Sequence, residues 1–159
     1  MEFDSFAAEL RCPTCQTIAS GDMLALMQTR IQADPSGRLL YVGDRVDVAP
    51  GGPANNGYLA VRPAQAHTAM HLLEVWTCGR CASGPNWAEV VIERGLIQSI
   101  TAVPLSRATL DQINYITDEL VFYFDEITGV PLYQFNQQAP PERRSTLQPN
   151  WLDLLYNSL

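Results

Sequence analysis

Two Cys-x-x-Cys pairs constrain this chain more than any other feature. The four cysteines are all used in them, as Cys12-Pro13-Thr14-Cys15 and Cys78-Gly79-Arg80-Cys81. This spacing lets two thiolates from one tight turn reach the same tetrahedral ion at about 2.3 Å. Pro13 presets φ in the first turn and Gly79 relieves crowding in the second. Two such knuckles predict a closed site of Cys12, Cys15, Cys78 and Cys81 around one structural Zn2+, with no coordination position left for a substrate. The alternatives are two disulfides, a thiol redox pair and an iron–sulfur cluster.

The pairs are far apart. Sixty-two residues lie between Cys15 and Cys78, where compact ribbons have about 15–20. A metal joining them closes a long loop and ties the N-terminal segment to the middle of the chain. Two disulfides fit poorly with a start, Met1-Glu2-Phe3-Asp4-Ser5, that has acid where a secretory signal has base. No apolar run approaches the roughly 20 residues of a membrane span, so the chain is expected in the cytosol.

Charge narrows the function classes further. The net charge is −7, and all ten basic residues are Arg. Without Lys there is no Schiff base, no phosphate-loop lysine and no Ser–Lys dyad. An acidic chain lacks the electrostatic footprint of a nucleic-acid binder and favours a basic partner. No Gly-x-Ser-x-Gly elbow is present. His67 and His71 are four apart, but His-Thr-Ala-Met-His lacks the glutamate of a zinc protease and reads as ordinary surface or core histidine. A noncatalytic role follows.

Residues 1–159 are expected to form one domain, with a β-rich knuckle core over 1–104 and a helical part over 105–159. Met23–Ile31 fits either strand or helix, with strand preferred. Arg38–Val42, Arg45–Val48, Tyr58–Arg62 and Met70–Thr77 read as strands, the first two of these joined by a turn at Gly43-Asp44. Ala49–Gly57, rich in Pro, Gly and Asn, reads as a surface loop. The clearest hairpin is Trp87–Glu93, a turn at Arg94-Gly95, then Leu96–Val103. A long helix is predicted from near Ser106, since Leu110, Ile113, Ile116, Leu120, Phe124 and Ile127 recur at spacings of three and four. Gly129 and Pro131 end it. The competing reading pairs Val121–Phe124 with Leu132–Phe135 as a β-hairpin. Pro140–Arg144 reads as a linker, and Pro149–Tyr156 as a short amphipathic helix.

On the predicted long helix, Asp111, Asp118 and Asp125 fall every seven residues, flanked by Glu119 and Glu126. They make an acidic stripe opposite the apolar one, either a solvated face or a docking surface for a basic partner. Tyr58, Trp87, Tyr123, Tyr133 and Trp151 are core or interface aromatics.

The knuckles Cys-Pro-Thr-Cys and Cys-Gly-Arg-Cys resemble those of zinc-ribbon proteins. With Gln28-Thr29-Arg30, Tyr41-Val42-Gly43-Asp44 and Asn86-Trp87-Ala88-Glu89-Val90, the first hundred residues are similar to small bacterial zinc-ribbon proteins. Some of those look like immunity partners of secreted toxins. That resemblance implies stoichiometric neutralisation of a basic toxin.

The expected fold is therefore α+β: a mostly antiparallel sheet pinned by the zinc-ribbon-like four-cysteine site, one long helix packed on it and a short C-terminal helix. The expected function is a noncatalytic, zinc-stabilised protein-binding module of immunity type. A nucleic-acid-associated zinc ribbon would instead need Arg11, Arg30, Arg38, Arg45 and Arg62 on one face. A thiol oxidoreductase would need a low-pKa thiol.

Overall fold

The computed structural model describes residues 3–63, 68–131 and 151–159. Its strands are β1 (Asp4–Ala8), β2 (Ala25–Thr29), β3 (Leu39–Leu40), β4 (Tyr58–Ala60), β5 (Met70–Trp76), β6 (Asn86–Glu93), β7 (Leu96–Val103) and β8 (Tyr115–Thr117). Among the described residues, the helices after β7 are α1 (Arg107–Leu110), α2 (Phe124–Thr128) and α3 (Trp151–Ser158). The architecture is α+β, and the strands divide into two mixed sheets where the sequence suggested one. The smaller has the order β2-β1-β3 and the larger β4-β8-β5-β6-β7. Most pairings are antiparallel, but β1 pairs in parallel with β3 and β5 with β8.

The central strand β5 of the larger sheet is buried on both faces. Leu72 and Trp76 join a core with Phe6, Met27, Ile31 and Val90, which lies between the two sheets. Leu73 and Val75, pointing the other way, pack with Trp87, Leu110, Ile116, Leu120, Phe124 and Leu155 beneath the helices. A strand lined on both sides reads as the continuous apolar run seen at Met70–Trp76. In β2 the alternation is clean: Ala25, Met27 and Thr29 are buried while Leu26 and Gln28 face out.

The hairpin forms as its turn residues dictate. Arg94 and Gly95 both take positive φ, 53° and 75°, as a two-residue turn matched to strand twist requires. Strand formation at 25–29 and 70–76 also agrees with the sequence reading. Arg38–Val42 and Arg45–Val48 behave differently. Tyr41–Asp44 does make the tight turn, with Tyr41 N–H donating to Asp44 Oδ2 at 2.8 Å. Its flanks part, however: β3 pairs with β1, Arg45 bridges Leu96, and Val48 bridges Gln32. The 49–57 loop contains a 3-10 turn at Pro53–Asn55.

The predicted long helix is not formed. Ser106 does cap a helix, accepting from Thr109 N–H at 3.2 Å, but α1 ends after one turn. The chain then enters the sheet as β8, between β4 and β5, continues as a 3-10 turn over Asp118–Phe122, and resumes helix in α2. Tyr115-Ile116-Thr117 are middling helix formers and good strand formers, and Asn114 before them is a poor helix former. Tertiary pairing settles the conflict, since Asn114 N–H donates to the His71 carbonyl at 2.9 Å and Asn114 Oδ1 accepts from His71 N–H at 2.8 Å. Every residue of the apolar stripe from Leu110 to Phe124 is nevertheless buried in the second core. Gly129, at φ 72°, stops α2. The rival hairpin reading fails over Val121–Phe124, and its partner Leu132–Phe135 lies outside the described residues, as does the Pro140–Arg144 linker. The C-terminal helix is present as α3, docked by Trp151 and Leu155.

Candidate metal centre

Each knuckle is built from the same backbone pattern. In the first, Cys12 N–H donates to the Thr17 carbonyl at 3.0 Å and Gln16 N–H to the Cys12 carbonyl at 2.9 Å. In the second, Cys78 N–H donates to the Ser83 carbonyl at 3.0 Å and Ala82 N–H to the Cys78 carbonyl at 2.9 Å. The residue after each second cysteine closes the turn with positive φ, 62° at Gln16 and 58° at Ala82. The left-handed conformation costs a non-glycine residue free energy. Both knuckles accept it, which places their sulfurs alike.

The smaller sheet carries the first knuckle, just beyond β1. The larger sheet carries the second, directly after β5. The cysteines are free thiols, and their four sulfurs lie within 4.8 Å of one another. Cys12 and Cys81 sulfurs are 3.6 Å apart, and those of Cys15 and Cys78 are 3.9 Å apart. Sulfurs bound tetrahedrally at about 2.3 Å stand about 3.8 Å from one another. A disulfide needs about 2.05 Å. The donor set therefore fits a single metal ion bridging the two sheets, with two of its ligands, Cys12 and Cys78, buried against the inter-sheet core.

Ser83 was missed by sequence reasoning. Its hydroxyl lies 3.2 Å from Cys12 Sγ and 3.1 Å from Cys81 Sγ. That bond, with backbone N–H donors, pulls the Cys12 thiol down to about 6 despite burial, and also lowers Cys81. A hydroxyl beside the sulfurs favours the thiolate that a metal requires. A signal for it exists: the knuckles read Cys-x-x-Cys-x-Thr and Cys-x-x-Cys-x-Ser, and the hydroxyl residue's carbonyl closes each turn.

A second missed group lies between the sheets. Thr29 and Tyr58 hydroxyls are 2.7 Å apart, and the Tyr58 O–H donates to Glu74 Oε1. Glu74 is fully buried, and its Oε2 has no partner among the described residues. Burial pushes the Glu74 carboxyl well above the usual carboxylate range; the Tyr58 bond opposes this, and the charges of Glu119 and Asp118 add to it. The native state thus holds a proton that the unfolded chain releases more readily. Stability is lost as pH rises from the ordinary carboxylate value towards the raised one. Glu74→Gln keeps an acceptor for Tyr58 and removes the titration. Its stability relative to wild type should rise as pH increases above the ordinary carboxylate range, read from urea melts at each pH. Parallel stability curves would refute this.

The acidic residues do not share one helical face, because the helix expected to carry them is absent. Asp111 ends α1, 4.0 Å from the Arg62 guanidinium. Asp118 and Glu119 begin the 3-10 turn, where Asp118 pairs with Arg30 at 2.6 Å. Asp125 and Glu126 lie in the first turn of α2. The arginines are similarly dispersed in their roles: Arg30 serves Asp118, Arg38 serves Asp4, and Arg62 donates to the Leu110 and Ile113 carbonyls. Arg11 donates to the Gln16 carbonyl within the first knuckle, and Arg45 lies in the bridge to Leu96. His71 Nδ1 is 3.5 Å from Glu89 Oε2, and His67 lies outside the described residues. Of the aromatics, Tyr58, Trp87 and Trp151 are core. Tyr123 stacks edge-on against Trp87 at 6.5 Å, and Tyr133 is not described.

No helix among the described residues is long and apolar enough to cross a membrane. No family model, curated protein or solved structure matches the chain.

Proposed function

We propose that this chain is a noncatalytic protein-binding module whose two sheets are locked together by one structural Zn2+ on Cys12, Cys15, Cys78 and Cys81, and that it neutralises a basic protein by stoichiometric contact, as an immunity protein does. The observation that supports the metal part of this reading is the four-sulfur geometry; the binding role rests on charge and an exposed aromatic. All four coordination positions of a tetrahedral ion are taken by the chain, the arrangement of a structural rather than a catalytic zinc. Four free thiols suit a reducing cytosol. A net charge of −7 favours a basic partner. Phe122, 76% exposed beside Asp118 and Glu119, is the kind of aromatic that interfaces cover.

The test is a gentle native purification of the tagged chain from its own cell, with quantification of what co-elutes. One stoichiometric basic protein supports the module. Recovery of nucleic acid or of ribosome and polymerase components contradicts it. A different reading starts from the Ser83 hydroxyl, 3.2 Å from Cys12 Sγ and 3.1 Å from Cys81 Sγ: a hydroxyl so placed lowers both thiols, which would also serve thiol–disulfide exchange. That reading requires turnover of a disulfide substrate by the metal-free protein.

The zinc reading makes a specific demand of Ser83. Ser83→Ala removes the hydroxyl facing two sulfurs while leaving all four ligands. Zinc affinity should fall about tenfold to 100-fold, measured by competition with a chromophoric chelator. Unchanged affinity would show that the hydroxyl supports only the turn.

A further inference from the structure

At the edge of the inter-sheet core, between the end of β2 and the 3-10 turn that follows β8, lies a cleft of about 650 Å³. That volume falls within the range of ligand-binding pockets. Thr29 and Tyr58, from the buried hydrogen-bonded chain that ends at Glu74, are among its lining residues. Leu59, Val121 and Phe122 supply apolar wall. Phe3 also lines it, and both phenylalanines are exposed, at 38% and 76%.

The charges around this cleft are unbalanced. Among the described residues Asp118 and Glu119 both line it, against the one cation Arg30. Arg30 is committed: its guanidinium holds Asp118 at 2.6 Å and lies against Gly57, where any Cβ would come within 2.9 Å of Arg30 Nε. Glu119 makes no salt bridge among the described residues. Burial first, then the neighbouring Asp118 charge, lifts its carboxyl, and Arg30 offsets only part of this. The same two acids reach Glu74 electrostatically, so the unpartnered Glu74 oxygen lies in the same acidic neighbourhood. A cation entering here meets an unpaired half-buried carboxylate, a second carboxylate and aromatic wall.

We infer that this cleft receives an arginine side chain presented by the protein partner. The choice of arginine follows from the lining. A planar, weakly hydrated guanidinium packs against aromatic faces and bonds a carboxylate through two N–H groups, whereas an ammonium is a compact, strongly hydrated point charge. The inference rests on the protein-binding reading and narrows the contact surface to Asp118, Glu119 and the cleft, away from Asp111.

The test titrates the full chain with the tripeptide acetyl-Gly-Arg-Gly-amide, followed by backbone amide NMR. Saturable shifts should centre on Thr29, Tyr58 and Asp118–Phe122. The isosteric citrulline peptide, which lacks the charge, should bind at least about tenfold more weakly, a difference of about 1.4 kcal/mol. Glu119→Gln should weaken the arginine peptide severalfold, and Val121→Trp, which fills the cleft, should abolish binding in a protein whose remaining spectrum is unchanged. Shifts elsewhere, equal binding of the citrulline or lysine peptide, or indifference to Glu119→Gln would overturn the inference. The module reading fails separately. A co-purifying protein that ignores Glu119→Gln removes only the cleft, whereas cleft binding of the peptide with no protein partner removes only the module.

Discussion

Replacing Cys78 with Ser is expected to lower the melting temperature by more than about 10 °C, the largest effect of any single conservative change in this chain. Cys78 follows β5 in the larger sheet, and its sulfur sits 3.9 Å from that of Cys15, beyond β1 in the smaller one. Binding free energy at such a site is folding free energy, because the unfolded chain cannot assemble four ligands drawn from two distant turns. The stapled loop is long, so its closure entropy is correspondingly large. Loss of packing must be separated from loss of metal, since Cys78 is only 2% exposed. Cys81 provides the control. It is exposed, so Cys81→Ser removes a ligand with little change in the core. Both variants should melt near the temperature of the wild type in excess chelator, and chelator should not shift them further. A wild type indifferent to chelator would reduce the Cys78 effect to packing.

The second large effect is in the smaller sheet, at the end of β1 away from the first knuckle. Asp4 is fully buried in β1 and accepts from Ser36 N–H at 3.1 Å and Arg38 N–H at 2.8 Å, with the Arg38 guanidinium at 3.5 Å. The carboxylate thus holds the chain that delivers β3 into its parallel pairing with β1. Asp4→Ala leaves two backbone donors without their acceptor and removes the ion pair with Arg38, whose guanidinium keeps the Asp34 carbonyl, and should cost about 2–5 kcal/mol. In a chain of this size that corresponds to a fall of roughly 10 °C in melting temperature. Asp4→Asn retains one acceptor oxygen and should lose about half as much. Chemical denaturation of the purified protein measures both. Equal losses for Ala and Asn would mean that the charge, not the acceptor geometry, holds the loop.

The cysteine cluster was legible in the sequence because both halves of it are local. A Cys-x-x-Cys turn encodes its own sulfur spacing, and the only long-range inference needed was that two such turns meet. The 86–103 hairpin was legible for the same reason, with Arg94-Gly95 closing it. Residues 106–127 were misread because apolar positions three and four apart report burial, not conformation. Leu110, Ile113, Ile116, Leu120 and Phe124 are all buried, yet they occupy a helix, a connecting segment, a strand, a 3-10 turn and a second helix. Pairing of β8 with β4 and β5 comes from segments far upstream in the chain, which no local period reveals. Glu74 was hidden likewise. Its partners come from β2 and β4, so nothing next to it in Leu-Leu-Glu-Val-Trp signals a buried carboxyl. Splitting of the strands into two sheets follows from β1 taking β2 on one edge and β3 on the other, a choice set by tertiary contact.

The measurement closest to the central claim is the metal content of the purified protein, determined by native mass spectrometry together with titration of its thiols. The account predicts one zinc ion per chain, four thiols that react only after the ion is removed, and loss of the ion in Cys78→Ser. A folded chain that carries no metal, or whose cysteines are already joined as disulfides, would contradict it.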